Sequence, residues 1–185
     1  MVKSAVAAMD MTDQLAGEGL FDPPAGYMVT GASKRGWATW LTAAVDTRVS
    51  AIAPLVIDIL HMEKVFPQQK AAYGFYAPPL RDYTSRGLIG LLGTPDAERL
   101  IAVVDPFRYR DRLTMPKYVV NAANDEFFLL DGSRFSYDDL PGPKGLWVVA
   151  NAGHAVITRP DVETESRSDQ ELADLYESGE IEITG

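Results

Sequence analysis

The sequence predicts an α/β fold in which a parallel sheet of about four strands is flanked by helices. Short runs of β-branched and aromatic residues alternate with longer segments whose apolar residues recur at helical spacing. Polar loops that contain Ser33, Asp125 and His154 directly follow three of these runs. Because strands joined by helical crossovers run parallel, the three loops are expected at one edge of the sheet.

The predicted elements follow in a regular order. A helix is expected over residues 2–15, with Gly17 favouring its end. A second helix is expected after Ser33, because Trp37 and Trp40 begin an apolar pattern of helical spacing. Strands are predicted near residues 27–30, 49–53, 117–121 and 146–149.

A long insertion, residues 60–113, separates the second and third predicted strands. It contains helix signals such as Thr94-Pro95-Asp96, and we expect a helical cap that roofs a pocket. Tyr73 and Phe75 are its candidate substrate-binding residues. The alternative is that most aromatic residues of the insertion form the core of the cap.

The charge is distributed unevenly along the chain. Residues 161–185 carry nine acidic residues and one arginine, so −8 of the net charge of −9 falls in this tail. The tail is expected to be partly flexible, with a short helix over residues 170–176 and a small strand over 181–183. The almost neutral remainder offers no basic, aromatic-rich surface, so a nucleic-acid partner is not expected.

Composition indicates one globular domain. The chain has 185 residues, of which 46% are hydrophobic, and it has no cysteine, so disulfides and thiolate metal sites are excluded. No cofactor or metal is expected. There is no apolar run long enough to cross a bilayer and no export signal in the first twenty residues. The compartment stays open.

Ser33 lies where a strand stops at Gly31 and a helix begins, which is the layout of a nucleophile elbow. A simpler interpretation is that Ser33 caps the helix. A third is a dinucleotide-binding loop, which requires further glycines four and six residues after the first. Arg35 and Trp37 occupy those positions, which argues against this third interpretation.

Asp125 and His154 strengthen the nucleophile interpretation, because both follow strands and the order Ser33, Asp125, His154 is that of an α/β-hydrolase triad. His154 would take the proton of the Ser33 hydroxyl, and Asp125 would orient the imidazole. Singly, His154 could be an ordinary loop residue and Asp125 a helix cap. The triad predicts a hydrolase acting on an unknown small-molecule or peptide substrate with an ester or amide bond.

Several longer motifs resemble the PhoPQ-activated pathogenicity-related protein family over about residues 1–157. They are Gly31-Ala32-Ser33-Lys34-Arg35-Gly36-Trp37, residues 43–49, 51–58 and 105–113, Asn124-Asp125-Glu126-Phe127-Phe128, residues 139–144 and Asn151-Ala152-Gly153-His154. The resemblance implies an α/β-hydrolase fold with the same serine, aspartate and histidine. At His61 the family pattern usually carries Asn, so His61 is expected to be a packed or helix-terminal residue.

The resemblance also implies a truncated chain, because family members are longer and have strands before the first helix seen here. Residues 1–160 are then expected to form a partial α/β-hydrolase domain containing the later half of its sheet. The strand edge near residues 27–30 would be bare and able to pair with another chain. A noncatalytic module that binds through this edge is therefore the alternative function.

The oxyanion donors follow from the same layout. The backbone amide of Lys34 is the expected first donor, and the second would come from a loop after an earlier strand. The side chains of Lys34 and Arg35 could also draw an anionic substrate towards Ser33. The alternative is that both are surface residues or pair with an acid such as Asp58.

Overall fold

The computed structural model describes residues 1–156. The helices in this range are α1 (Val2–Gly17), α2 (Lys34–Val45), α3 (Met62–Tyr73), α4 (Arg81–Thr84) and α5 (Pro95–Val104). The strands are β1 (Tyr27–Ala32), β2 (Val49–Leu55), β3 (Lys117–Ala122) and β4 (Lys144–Val149). The first helix and all four strands that the sequence predicts are therefore confirmed, with small differences at their ends. The helix and strand predicted within the acidic tail lie outside the described residues.

The four strands form one parallel sheet in the order β1-β2-β3-β4. Thr30 pairs with Ala53 across β1 and β2, and Ala122 pairs with Val149 across β3 and β4. All strands therefore end at the same edge, and the loops that follow β1, β3 and β4 leave the sheet there. Among the described residues β1 is an outer strand, as the sequence predicts.

One face of the sheet packs on α2. Trp40 and Ile52 are almost fully buried between them, and the small residues Ala43 and Ala44 let the helix approach closely. Burying each large side chain stabilises the fold by about 1.5–3 kcal/mol. Alternation along the strands places other apolar side chains on the opposite face, where Met28, Tyr118 and Trp147 are exposed.

The insertion of residues 60–113 is helical, as expected. It contains α3, α4, α5 and 3-10 turns at Pro78–Leu80, Ile89–Leu91 and Pro106–Arg112. Ala77, Leu80 and Ile89 form a small apolar cluster of their own. Asp105 connects the insertion internally, because its buried carboxylate accepts the backbone N–H groups of Met62 and Phe107 at 2.8 and 2.9 Å.

An ionic cluster at the opposite edge of the sheet attaches α1. The Arg48 guanidinium binds Asp10 at 2.7 Å, Asp13 at 2.6 Å and Asp46 at 2.6 Å. The Tyr27 hydroxyl also donates to Asp13. These bonds hold the pKa of the Asp13 carboxyl below its usual value, with the Tyr27 hydrogen bond as the largest cause.

We expect Arg48→Ala to lower the free energy of unfolding more than the loss of an isolated surface cation does, because it leaves three carboxylates close together without their cation. Chemical denaturation at low salt measures the change. Arg99→Ala is the matched control, since its pair with Asp96 is largely exposed, and it should cost at most about 0.5 kcal/mol. Equal losses in the two variants would contradict a special role for the cluster.

Candidate active site

Ser33 occupies the turn between β1 and α2 in an unusual backbone conformation, with φ 56° and ψ −125°. A positive φ at a non-glycine residue costs on the order of 1–3 kcal/mol and persists only where surrounding bonds impose it. Here Ser33 N–H donates to the Leu55 carbonyl at 2.9 Å, and Trp37 N–H donates to the Ser33 carbonyl at 2.9 Å. The Ser33 side chain makes no capping hydrogen bond. The simple capping interpretation therefore lacks its bond in this structure.

Two glycines allow this turn to be tight. A Cβ atom at Gly31 would lie 2.8 Å from the backbone C and O of Arg35. A Cβ atom at Gly36 would lie 2.8 Å from the Gly31 carbonyl oxygen and 3.0 Å from the Leu55 carbonyl oxygen. Separations this short leave no room for a side chain. Gly31 marked the strand end in the sequence, whereas the contact made by Gly36 was not predicted.

Asp125 and His154 are directly bonded. His154 Nδ1 lies 3.0 Å from Oδ1 and 2.9 Å from Oδ2 of Asp125, and the Asp125 side chain is only 5% exposed. Asp125 Oδ1 also accepts the backbone N–H groups of Phe127 and Phe128, at 2.8 and 3.2 Å. A neutral imidazole that donates its Nδ1–H to this carboxylate has Nε2 free as a hydrogen-bond acceptor.

The loops after β3 and β4 hold His154 from several sides. Ala123 N–H donates to the Val149 carbonyl at 3.0 Å, and Asn124 N–H donates to the Ala152 carbonyl at 2.9 Å. The Phe127 ring packs on the imidazole with centroids 4.2 Å apart. His154 Nε2 is buried and has no hydrogen-bond partner among residues 1–156. The structure thus brings Asp125 and His154 together but does not bond His154 to Ser33.

Lys34 is the first residue of α2, so its backbone N–H has no acceptor within the helix. The side chains of Lys34 and Arg35 are exposed and line a cleft of about 450 Å³ with residues of α1 and β1, among them Ser4 and Val29. Within the described range neither cation forms an ion pair. Of the two alternatives given for these side chains, the structure shows surface residues and, within the described range, no pairing with Asp58.

Tyr73 and Phe75 lie elsewhere. Tyr73 lines a second cleft, of about 510 Å³, together with Asp125, Phe128 and Asp131. Phe75 stacks on Tyr73 with ring centroids 6.0 Å apart, and both side chains are more than half exposed. They therefore do not belong to a cap core. The two clefts are separate, so the four predicted substrate-binding residues do not line one pocket.

His61 is packed at a helix end, as expected. It precedes α3, its Nδ1 lies 3.1 Å from the Phe135 carbonyl oxygen, and its ring stacks on Phe107 at 4.2 Å. Its contacts are structural.

Asp58 is a buried acid that the sequence did not single out as functional. It follows β2 at the carboxyl edge, and its Oδ2 accepts the Ser133 N–H at 2.7 Å. Burial raises the pKa of the Asp58 carboxyl to about 7, the negative charges of Asp131 and Asp125 add to the rise, and the Ser133 hydrogen bond opposes it. The pKa of the Asp58 carboxyl is therefore close to neutral pH, and the group is near enough to Asp125 to be affected by its charge.

Between residues 1 and 156, no group of three or more His, Asp and Glu side chains is arranged to hold a metal ion. In the same range, each helix is too short or too polar to span a bilayer.

The architecture defines the class as the α/β-hydrolase fold. Solved structures with this fold that resemble the chain include an acetyl xylan esterase from Paenibacillus sp. R4, with a TM-score of 0.57 and 17% identity over 79% of this chain and 45% of that chain. A Pyrococcus horikoshii acylaminoacyl peptidase has a TM-score of 0.57 and 15% identity over 83% and 23% of the two chains. A puromycin-hydrolyzing peptidase of Mycobacterium tuberculosis has a TM-score of 0.54 and 20% identity over 83% and 22%. At these identities the likeness shows the fold.

The chain belongs to the PhoPQ-activated pathogenicity-related protein family, whose model matches residues 1–172. This confirms the resemblance noted in the sequence and extends it by about fifteen residues beyond the limit given there. Autocrine proliferation repressor protein A of Dictyostelium discoideum is 41% identical over 159 residues, which are 85% of this chain and 32% of that protein. The chain therefore spans about a third of the length of this relative.

The pH dependence of stability tests the buried state of Asp58. The folded protein keeps this proton up to about pH 7, whereas an ordinary Asp releases it near 3.8. Stability is therefore lost as pH rises through this interval. Asp58→Asn removes the ionisation, and we expect its stability relative to wild type to increase by about 2–3 kcal/mol between pH 5 and pH 8.

Denaturant unfolding at several pH values measures this difference. Asp82→Asn is the control. Asp82 is exposed, so this substitution removes one carboxylate without changing a buried site. A difference between Asp58→Asn and wild type that stays constant with pH would show that Asp58 has an ordinary pKa.

Proposed function

We propose that this chain carries the catalytic triad of a serine hydrolase that cleaves an ester or amide, with Ser33 as nucleophile, His154 as general base and Asp125 as its orienting acid. The observation that supports the proposal most directly is the Asp125–His154 pair, in which His154 Nε2 has no hydrogen-bond partner among residues 1–156. A buried acceptor without a partner is costly unless another group reaches it. Ser33 follows β1 at the same edge of the sheet, and its hydroxyl is the group proposed to reach Nε2.

The proposed reaction has two stages. Ser33 Oγ attacks the carbonyl carbon, its proton passes to His154 Nε2, and the carbonyl electron pair moves to the oxygen as an oxyanion. His154 then gives the proton to the leaving oxygen or nitrogen as that bond breaks, which leaves an acyl ester on Ser33. Water hydrolyses this ester by the same proton route.

The first stage requires Ser33 Oγ to come within hydrogen-bond distance of Nε2. Such bonds are often long before substrate binds. Asp125 stabilises the imidazolium that forms, and the packed Phe127 ring keeps the imidazole plane in place.

The Lys34 backbone N–H is the proposed first donor to the oxyanion. The second donor in this fold comes from a loop after an earlier strand, and among residues 1–156 no strand precedes β1. Losing one such donor typically lowers the rate by about a hundredfold or more.

A second candidate function is binding without catalysis through the edge of β1. The observation in its favour is that β1 is an outer strand with Met28 exposed. Unpaired strand edges with apolar side chains favour pairing with another chain, including a second copy of this one. The labelling experiment below separates the two functions.

A fluorophosphonate probe tests the triad, because it reacts with activated serines and needs no known substrate. We expect labelling of the wild type, none of Ser33→Ala, and rates at least about a hundredfold lower for His154→Ala and Asp125→Asn. His61→Asn is the matched control, since it replaces the other histidine outside the proposed site, and it should keep the wild-type rate.

Labelling that survives in Ser33→Ala, or that is unchanged in His154→Ala, would refute the triad. Folded wild type that is not labelled at all would instead favour the binding function.

The charge of the preferred substrate tests the side chains of Lys34 and Arg35. If either cation attracts substrate, Lys34→Ala or Arg35→Ala should lower kcat/KM for an anionic ester about fivefold and leave a neutral ester unchanged, which corresponds to about 1 kcal/mol. Lys64→Ala, an exposed lysine on α3, is the control. Equal small losses on both esters would show that these cations have no role in substrate choice.

A further inference from the structure

Glu126 makes a contact that none of the proposed catalytic steps uses. Its Oε2 accepts the backbone N–H of His154 at 2.8 Å. The two residues are 28 positions apart, one in the loop after β3 and the other in the loop after β4. The Glu126 carboxylate, in the loop after β3, therefore holds the main chain of the loop after β4 at His154, the proposed general base.

Gly153 makes room for this contact. A Cβ atom at Gly153 would lie 3.1 Å from Glu126 Oε2 and 3.6 Å from the Asn124 carbonyl oxygen. The first separation is tighter than ordinary van der Waals contact, so a side chain at residue 153 would press on the carboxylate. The absence of a side chain at Gly153 thus leaves space for the Glu126 carboxylate.

Three consecutive residues contact His154 in different ways. Asp125 binds the imidazole Nδ1, Glu126 binds the backbone N–H, and Phe127 packs on the ring. The bond to Asp125 restricts the side-chain torsions of His154. It does not fix the main chain from which those torsions start, and His154 lies in a segment without helix or strand.

We propose that Glu126 is a positioning residue, which sets the location of the His154 imidazole through its main chain and thereby controls how closely Nε2 approaches Ser33. The inference rests on the proposed function, since positioning has a catalytic consequence only if His154 is the base. Glu126 itself contacts none of the reacting atoms. A misplacement of about 1 Å in such a site can lower a rate by about a hundredfold.

The rate of fluorophosphonate labelling distinguishes positioning from other roles. Because Gln keeps a carbonyl oxygen that can accept the His154 N–H, Glu126→Gln should label within about threefold of wild type. Glu126→Ala, which removes the acceptor, should be slower by about tenfold or more. Glu18→Ala is the control for loss of an exposed glutamate and should behave as wild type.

The pH profile of labelling separates the hydrogen bond from the charge. If Glu126 acts through the hydrogen bond, the pH midpoint of the labelling rate stays the same in both variants, and only Glu126→Ala is labelled more slowly. Equal losses in the two variants with a shifted midpoint would show that the negative charge matters instead, which would overturn the proposal. A Glu126→Ala rate equal to wild type would also overturn it.

Hydrogen exchange provides a measurement that does not depend on activity. The backbone amide of His154 should exchange about tenfold faster in Glu126→Ala than in wild type, and Glu126→Gln should retain most of the protection. If the wild type is not labelled by the probe but this exchange difference appears, the proposed function fails while the contact stands. An unchanged exchange rate in Glu126→Ala would refute the contact itself.

Discussion

The common direction of the four strands is the constraint on which the candidate site depends. Parallel strands must be connected by crossovers, so each strand delivers its following loop to the same edge. The loops that carry Ser33, Asp125 and His154 leave the sheet at that edge for this reason, although 121 positions separate the first of these residues from the last. The loops after β3 and β4 are then joined by main-chain bonds at Ala123 and Asn124, which keep the Asp125–His154 pair in place.

The carboxyl edge of the sheet contains features that destabilise the fold, and the amino edge contains contacts that stabilise it. At the carboxyl edge, Ser33 has a positive φ and Asp58 is buried with a raised pKa, and both cost folding free energy. At the amino edge, Arg48 joins three carboxylates, and Lys144 Nζ donates to the carbonyls of Tyr137, Asp138 and Leu140 at 2.7 to 3.0 Å. Together with the core around Trp40, these contacts offset the strain at the edge proposed for catalysis. This separation of stability from function is typical of sites that need unusual geometry.

Much of the fold could be predicted because its signals are local. Apolar runs mark the strands, and the polar loops after them contain Ser33, Asp125 and His154 within a few residues of each strand end. Contacts between distant positions have no such signal: Asp58 binds Ser133 across 75 residues, and Glu126 binds His154 across 28. Tyr73 and Phe75 are predicted to bind substrate because they are aromatic and lie in the insertion, and their exposure and location depend on how the insertion packs, which periodicity does not determine.

The position of the covalent adduct tests directly whether Ser33 is the nucleophile. After reaction with a fluorophosphonate, tryptic cleavage should release a peptide of residues 4–34, which contains only two serines, Ser4 and Ser33. Tandem mass spectrometry then assigns the added mass. We expect the added mass on Ser33. An adduct on Ser4, or on a peptide from any other part of the chain, would contradict the claim that the turn after β1 holds the nucleophile.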